Sequence, residues 1–220
     1  MTLSKDQAKL RRETAKVLST LEALYPKHPL EVERQAPFHA LVATVLASRT
    51  KDPVTNAAMR RLWARAATPQ AILAVPEAEL AALIKPVGFY QQKARQLHGL
   101  CRMVVERYSG QVPGTREELM ELPGVGRKVA NLVLNICFDE PAICVDTHVH
   151  RIANRLGWVE TGTPEATELA LLEIVPRKYW AMLNRVLVNH GQQICQPLSP
   201  HCTICVIAPS CERRNVIKYR

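Results

Sequence analysis

A chain of 220 residues in which 47% are hydrophobic can bury one large core or two smaller ones, and its net charge of +9 favours a polyanionic partner, nucleic acid before a membrane surface. No apolar run approaches the roughly 20 residues that cross a bilayer, and the N-terminus is charged where a secretory signal is apolar, so we expect a cytoplasmic, nucleoid-associated protein. Seven cysteines, an odd number in a reducing compartment, argue against a disulfide framework.

Helix signals follow one another along the chain, and strand signals are almost absent. Apolar residues at the helical period predict a helix over residues 4–24. Asp52, which precedes a proline, predicts the N-cap of a helix that ends near Ala66. Thr68, also followed by proline, predicts the start of the next one.

The second half of the chain carries similar signals. Thr115 with Glu118 forms a capping box before a short helix. Thr163 predicts the start of a helix that runs toward Val175, and residues 179–194 predict the last long helix. About ten helices with short connections predict an all-α protein.

The most informative segment, residues 122–146, reads LPGVGRKVANLVLNICFDEPAICVD. Its glycines allow positive φ angles and let an anion approach the main chain, and the free N–H groups of the following helix attract negative charge. A phosphate therefore fits this turn, which is similar to the helix-hairpin-helix element of DNA-handling proteins. An ordinary helical corner is the alternative, which the pattern alone does not exclude. The candidate DNA contacts here are Leu122, Gly124, Val125, Gly126 and Arg127.

Two side chains of this segment are candidates for catalysis. Lys128 becomes a nucleophile only if its pKa falls from about 10.4, and the helix N-terminus and Arg127 act in that direction. Taken alone, the residues favour a phosphate-contacting Lys128 and an N-capping Asp146. A catalytic role of Asp146 is compatible with its role as an N-cap, because a capping carboxylate is rigidly held and stays ionised.

Four cysteines near the C-terminus follow the spacing C-x6-C-x2-C-x5-C, which predicts a metal centre. This spacing suits both a tetrahedral zinc ion and a [4Fe-4S] cluster. The other three cysteines lie within or beside apolar helices and are predicted to be buried packing residues. The candidate ligands are Cys195, Cys202, Cys205 and Cys211, and the packing cysteines are Cys101, Cys137 and Cys144.

In this order and at these separations, LPGVGRK, VDTH and the cysteine loop closely resemble the endonuclease III family of helix-hairpin-helix DNA glycosylases. Three further segments agree with it: LASRTKD, GFYQQKA and NHG. The resemblance implies a central helical domain over 30–140 that carries the hairpin. It also implies a [4Fe-4S] cluster domain built from 1–29 and 141–220, with Lys128 and Asp146 facing each other across the cleft between the domains.

The family's activity is implied in the same way. It is base excision repair of double-stranded DNA that contains oxidised pyrimidines or abasic sites, by a DNA glycosylase with apurinic/apyrimidinic (AP) lyase activity. Lys128 attacks C1′, expels the base and forms a Schiff base, Asp146 assists, and β-elimination cuts the strand 3′ to the lesion. The cluster is structural and holds a basic loop against DNA. The basic residues of this loop are Arg213, Arg214, Lys218 and Arg220.

Two positions depart from the family pattern. Arg49 lies where the family commonly has a glutamine that fills the gap left by the flipped base, and Phe89 lies where it commonly has a leucine wedge. Both are candidate DNA contacts, but they leave the lesion and the opposite-base preference open. His148 and His150, just after Asp146, suit core or phosphate contacts better than catalysis.

Three alternatives remain at this point. A monofunctional relative uses water instead of lysine, although such relatives usually lack a lysine at the position of Lys128. A non-catalytic DNA-binding protein and a redox or zinc-dependent regulator are the other two. We expect a monomer, because no segment suggests an assembly.

Overall fold

The computed structural model describes residues 5–26 and 36–220. These residues form eleven α-helices and three short 3₁₀ helices without any β-strand, so the prediction of an all-α chain is confirmed. None of the described helices combines the length and the apolar character needed to span a bilayer. The helices are α1 Lys5–Leu24, α2 Pro37–Ala47, α3 Asp52–Arg65, α4 Pro69–Leu73, α5 Glu77–Ile84, α6 Tyr90–Tyr108, α7 Arg116–Glu121, α8 Arg127–Cys137, α9 Thr147–Leu156, α10 Pro164–Ile174 and α11 Trp180–Gln193.

Side-chain caps explain where several helices begin. Thr68, Thr115 and Thr163 each accept a hydrogen bond from a backbone N–H three residues further on, at 3.1, 3.3 and 3.2 Å. Each such cap satisfies one of the free N–H groups at a helix start and contributes about 1 kcal/mol. The predicted starts at these three threonines are confirmed.

The prediction for Asp52 was wrong by one residue. Lys51 occupies the N-cap of α3 and makes no side-chain capping bond, while Asp52 is the first helical residue. A carboxylate in the first turn still interacts favourably with the helix dipole, so the acidic residue keeps a stabilising position without capping. Residue 4, the predicted start of α1, lies outside the described residues.

The chain divides into two compact units. One is Leu30–Glu140, and the other combines Met1–Pro29 with Pro141–Arg220. In the first unit, α2 packs on α8 while α4 and α5 pack on α6, and the core includes Leu46, Leu97 and Val133. In the second unit, α1 and α9 pack on α11 around a core that includes Leu18, Ile152 and Leu183.

Candidate functional site

The glycine turn joins α7 to α8. Leu122 and Val125 bury their side chains, and the Val125 N–H donates to the Leu122 carbonyl at 3.0 Å, so the turn is anchored in the core. Gly124 has φ +82°, and an added Cβ there would lie 3.2 Å from the Gln96 side chain. The positive φ that glycine allows is therefore adopted at Gly124 but not at Gly126, where φ is −96°.

Gly126 is the N-cap of α8, and no described residue beyond its neighbours in the chain lies within 4 Å of the position that its Cβ would occupy. The turn is therefore open on this side, next to the N-terminus of an eleven-residue helix. A helix N-terminus attracts anions through its free N–H groups. With buried side chains at Leu122 and Val125, DNA contacts from these two residues would come from the main chain.

Lys128 is the second residue of α8 and is half-buried, whereas Arg127 beside it is exposed. The next turn buries Val129, Ala130 and Asn131. The sequence places Asn131 on a polar stripe with Lys128, yet the structure buries it completely. The amine of Lys128 thus stands where an exposed helix start meets the core, in the unit Leu30–Glu140.

Asp146 belongs to the other unit and is the N-cap of α9. Its Oδ1 accepts hydrogen bonds from the N–H groups of His148 and Val149, both at 2.9 Å, which confirms the predicted cap. Because Oδ1 accepts both bonds, Oδ2 takes no part in the cap.

His148 lies against Gly191 of α11. An added Cβ at Gly191 would lie 2.5 Å from His148 Nδ1, so only glycine leaves room for this ring. The Arg151 guanidinium lies 3.1 Å from the same nitrogen and donates to the Gly191 and Cys195 carbonyls at 3.2 and 2.8 Å. His150 instead contacts the Thr167 hydroxyl at 2.7 Å.

The C-terminal loop brings its four cysteines around one apolar cavity. Burial raises the pKa of two of them, Cys205 and Cys211, and the charges of the neighbouring cysteines act in the same direction. In the part of the chain that the structure describes, no group of three or more His, Cys, Asp or Glu residues is arranged to hold a single metal ion. The cysteines around this cavity are Cys195, Cys202, Cys205 and Cys211.

Hydrogen-bond donors point at two of these sulfurs. Arg155 Nη1 donates to Cys195 Sγ at 3.3 Å, and the Arg213 N–H donates to Cys211 Sγ at 3.4 Å. Donors of this kind stabilise thiolate, the form of cysteine that binds metal. Arg155 also donates to the carbonyls of residues 196 and 197, both at 2.7 Å, so one buried guanidinium holds the start of the loop. No pattern in the sequence indicated this arginine.

The three remaining cysteines differ in burial. Cys101 and Cys144 are buried, as predicted, and burial raises the pKa of Cys101 to about 12. Cys137, at the end of α8, is only half-buried.

In the unit Leu30–Glu140, the structure brings three of the predicted DNA-contacting residues to one open pocket of about 250 Å³. Arg49, Phe89 and Gly124 all line it, together with the buried Lys93, which the sequence did not indicate. The guanidinium carbon of Arg49 lies 5.7 Å from the centre of the Phe89 ring, which is a cation–π contact. Phe89 keeps 59% of its surface exposed. A large aromatic side chain on the surface beside a cation is suited to stacking on a base.

Residues 42–177 match the family model described as HhH-GPD superfamily base excision DNA repair protein. Endonuclease III of Thermotoga maritima is 45% identical over 86% of this chain and 87% of its own length. Endonuclease III-like protein 1 of Gallus gallus is 44% identical over 80% of this chain and 65% of its own length. The chain spans about half of the chloroplastic endonuclease III homolog 2 of Arabidopsis thaliana, to which it is 45% identical.

Solved structures agree over a larger part of the chain. A trapped endonuclease III–DNA covalent intermediate, an estranged-adenine complex, is 36% identical with a TM-score of 0.84, and the match covers 96% of this chain and 97% of that one. A thermostable thymine-DNA glycosylase is 26% identical with a TM-score of 0.80, covering 92% and 96% of the two chains. From these matches in sequence and in fold, the chain belongs to the endonuclease III family of the HhH-GPD superfamily of base excision DNA repair proteins.

Proposed function

We propose that this protein is a base excision repair DNA glycosylase with AP lyase activity, which removes oxidised pyrimidines from duplex DNA. The observation that carries the proposal is the position of Lys128, half-buried in the first turn of α8 and directly after an open glycine turn. A relative of the same fold has been captured as a covalent intermediate with DNA, which supports covalent chemistry in the family.

Lys128 is the nucleophile in this proposal. Its neutral amine attacks C1′ of the damaged nucleotide, the bond from C1′ to the base breaks, and opening of the sugar gives a Schiff base. Loss of a proton from C2′ then expels the 3′ phosphate, which is β-elimination, and water releases the lysine. Asp146 assists by accepting a proton and by stabilising the cationic sugar. Its carboxylate suits this role because the cap already fixes its position.

The glycine turn holds the DNA backbone. The open side at Gly126, the N-terminus of α8 and the net charge of +9 all favour phosphate, which carries no sequence information. Arg49 and Phe89 occupy the space that the flipped nucleotide leaves and lower the cost of flipping, which is a few kcal/mol in duplex DNA. With DNA as substrate, we place the protein at the nucleoid in the cytoplasm.

The four C-terminal cysteines hold a [4Fe-4S] cluster. Their sulfurs surround a cavity lined by apolar side chains, and hydrogen-bond donors favour the thiolate form, which suits a cluster. When bound, the cluster supplies a crosslink within the C-terminal loop. A yellow-brown protein with iron and sulfide supports this assignment, whereas a colourless protein with stoichiometric zinc overturns it.

Borohydride trapping on duplex DNA with an abasic site tests the nucleophile. The wild type and the control Lys9→Ala, which changes an exposed lysine of α1, are expected to form a covalent adduct with DNA. Lys128→Ala is expected to form none. An adduct with Lys128→Ala, or none with the wild type, contradicts the mechanism.

The thymine-DNA glycosylase among the similar structures makes a monofunctional enzyme the second candidate. A duplex with one oxidised pyrimidine separates the two. Strand cleavage without alkali supports the lyase, and base release that cuts the strand only after alkali supports the monofunctional enzyme.

A further inference from the structure

The pocket beside the glycine turn contains two residues in an unusual backbone conformation. Arg49 and Phe89 are not glycines, yet both adopt left-handed angles, with φ of 52° and 58°. Residues that have a side chain rarely adopt these left-handed angles, because their Cβ atom crowds the backbone. Such residues persist only where the surrounding structure holds them, and they cluster at functional sites.

The side chain of Lys93 lines the same pocket as these two residues. It is 5% exposed, and its ammonium donates to the carbonyls of Leu46 and Ser48 at 2.9 and 2.5 Å and to the Thr50 hydroxyl at 3.3 Å. The two carbonyls belong to the C-terminal end of α2, where carbonyl groups lack helical partners and carry partial negative charge. The three acceptors belong to residues 46, 48 and 50, which lie on both sides of Arg49 in the chain.

The same network reaches the turn that carries Phe89. The Thr50 hydroxyl accepts a hydrogen bond from the N–H of Gly88 at 3.1 Å, and Gly88 directly precedes Phe89. At Gly88, an added Cβ would lie only 2.7 Å from the Arg49 carbonyl oxygen, so the two turns are in close contact. The backbone N–H of Lys93 donates to the Phe89 carbonyl at 3.0 Å, which is an ordinary helical bond at the start of α6.

We propose that Lys93 is a positioning residue, whose buried ammonium holds Arg49 and Phe89 in the conformation in which they meet the base opposite the flipped nucleotide. The inference rests on the proposed function, since it needs a flipped nucleotide, but it does not depend on how the base is released. It assigns Lys93 no chemistry of its own, because three oxygen acceptors occupy its three N–H groups. Burial lowers the pKa of Lys93 to about 8, so the amine is still mostly protonated at pH 7.

A binding experiment tests the positioning without any catalysis. The probe is a duplex with a tetrahydrofuran abasic analogue opposite 2-aminopurine, which fluoresces more strongly when it is unstacked. The wild type and the control Lys9→Met are expected to raise the fluorescence on binding. Lys93→Met, which keeps the length of the side chain but removes the donors, is expected to lose most of this rise while its affinity for undamaged duplex falls less than about threefold.

Thr50→Val provides a milder variant, because it removes only the hydroxyl that Lys93 and Gly88 share. It is expected to lose part of the fluorescence rise, and it keeps the proposal testable if Lys93→Met does not fold. The proposal is overturned if Thr50→Val, or a folded Lys93→Met, gives a rise in fluorescence as large as that of the wild type. The absence of any rise with the wild type also overturns it.

A double-mutant cycle separates positioning from general destabilisation. In a background of Arg49→Ala with Phe89→Ala, Lys93→Met is expected to slow single-turnover base release less than about twofold, against about tenfold or more in the wild-type background. Equal losses in both backgrounds contradict the proposal. A wild type that gives the fluorescence rise but neither base release nor trapping contradicts the proposed function alone.

Discussion

Replacement of Asp146 by asparagine separates its capping role from its proposed chemical role. Asparagine keeps an oxygen that can accept the two hydrogen bonds of 2.9 Å, but it removes the charge. Asparagine and aspartate are similar N-caps, and the lost interaction of the charge with the helix dipole costs about 0.3–1 kcal/mol. For a chain of this length, that loss lowers the Tm by about 1–4 °C.

The expected effect on catalysis is much larger. A positioned acid or base contributes about 10²–10⁴ in rate, so base release by Asp146→Asn is expected to fall by about that factor. Asp146→Ala removes the cap as well and is expected to cost a further 0.5–2 kcal/mol of stability, or about 1–8 °C in Tm, with no further large loss of rate.

Three measurements decide the matter: single-turnover base release with excess enzyme, affinity for a duplex with an uncleavable abasic analogue, and thermal denaturation. Asp146→Asn is expected to release the base slowly while its affinity for the duplex and its Tm stay close to those of the wild type. If Asp146→Asn is fast and Asp146→Ala is slow and unstable, Asp146 is only a helix cap.

Gly124→Ala is expected to destabilise the protein by about 1 kcal/mol or more, because the φ of +82° at this position suits only glycine. Gly126→Ala is expected to leave the Tm unchanged and to weaken binding to damaged and undamaged duplex alike. Equal Tm losses in both variants, or selective loss for damaged DNA with Gly126→Ala, would count against this account. Arg49 offers only donors, and guanine presents two acceptors on one edge, so the wild type is expected to favour guanine over adenine opposite the lesion. Arg49→Gln is expected to reduce the ratio of the single-turnover rate opposite guanine to the rate opposite adenine about tenfold. An unchanged ratio argues against a contact with the opposite base. Burial lowers the pKa of Lys93 to about 8, below its value of about 10.4 in the unfolded chain, so only the unfolded chain keeps this proton between those pH values. The stability of the wild type relative to Lys93→Met is therefore expected to rise with pH in that window by up to about 1.4 kcal/mol per pH unit, and chemical denaturation that finds a constant difference would contradict the lowered pKa.

Signals that depend on near neighbours in the chain were predicted well. The caps at Thr163 and Asp146 are formed by a side chain and the backbone within three residues of it, so the sequence contains the whole interaction. The structure places the four C-terminal cysteines around one cavity, in keeping with their spacing, while the metal centre that the spacing predicts stays a prediction.

Features that depend on distant residues were not predicted. The acceptors of the Lys93 ammonium lie 43 to 47 residues away in the chain, and no local pattern distinguishes a buried lysine from an exposed one. The left-handed angles of Arg49 and Phe89 occur beside that network and beside the close approach of Gly88, both of which join residues far apart in the chain. The two glycines of the turn look alike in sequence, but only Gly124 takes a positive φ, and only there would a Cβ lie against a distant residue, Gln96.

Helix α9 connects two regions that have been treated separately. Asp146 caps its first turn, and Arg155 in its last turn holds the start of the cysteine loop through Cys195. A ten-residue helix is about 15 Å long and transmits displacement as a stiff rod. If the loop holds the proposed cluster, damage that displaces Arg155 is expected to shift the carboxylate at the other end of α9. Loss of activity after loss of the cluster would therefore not by itself indicate a redox role.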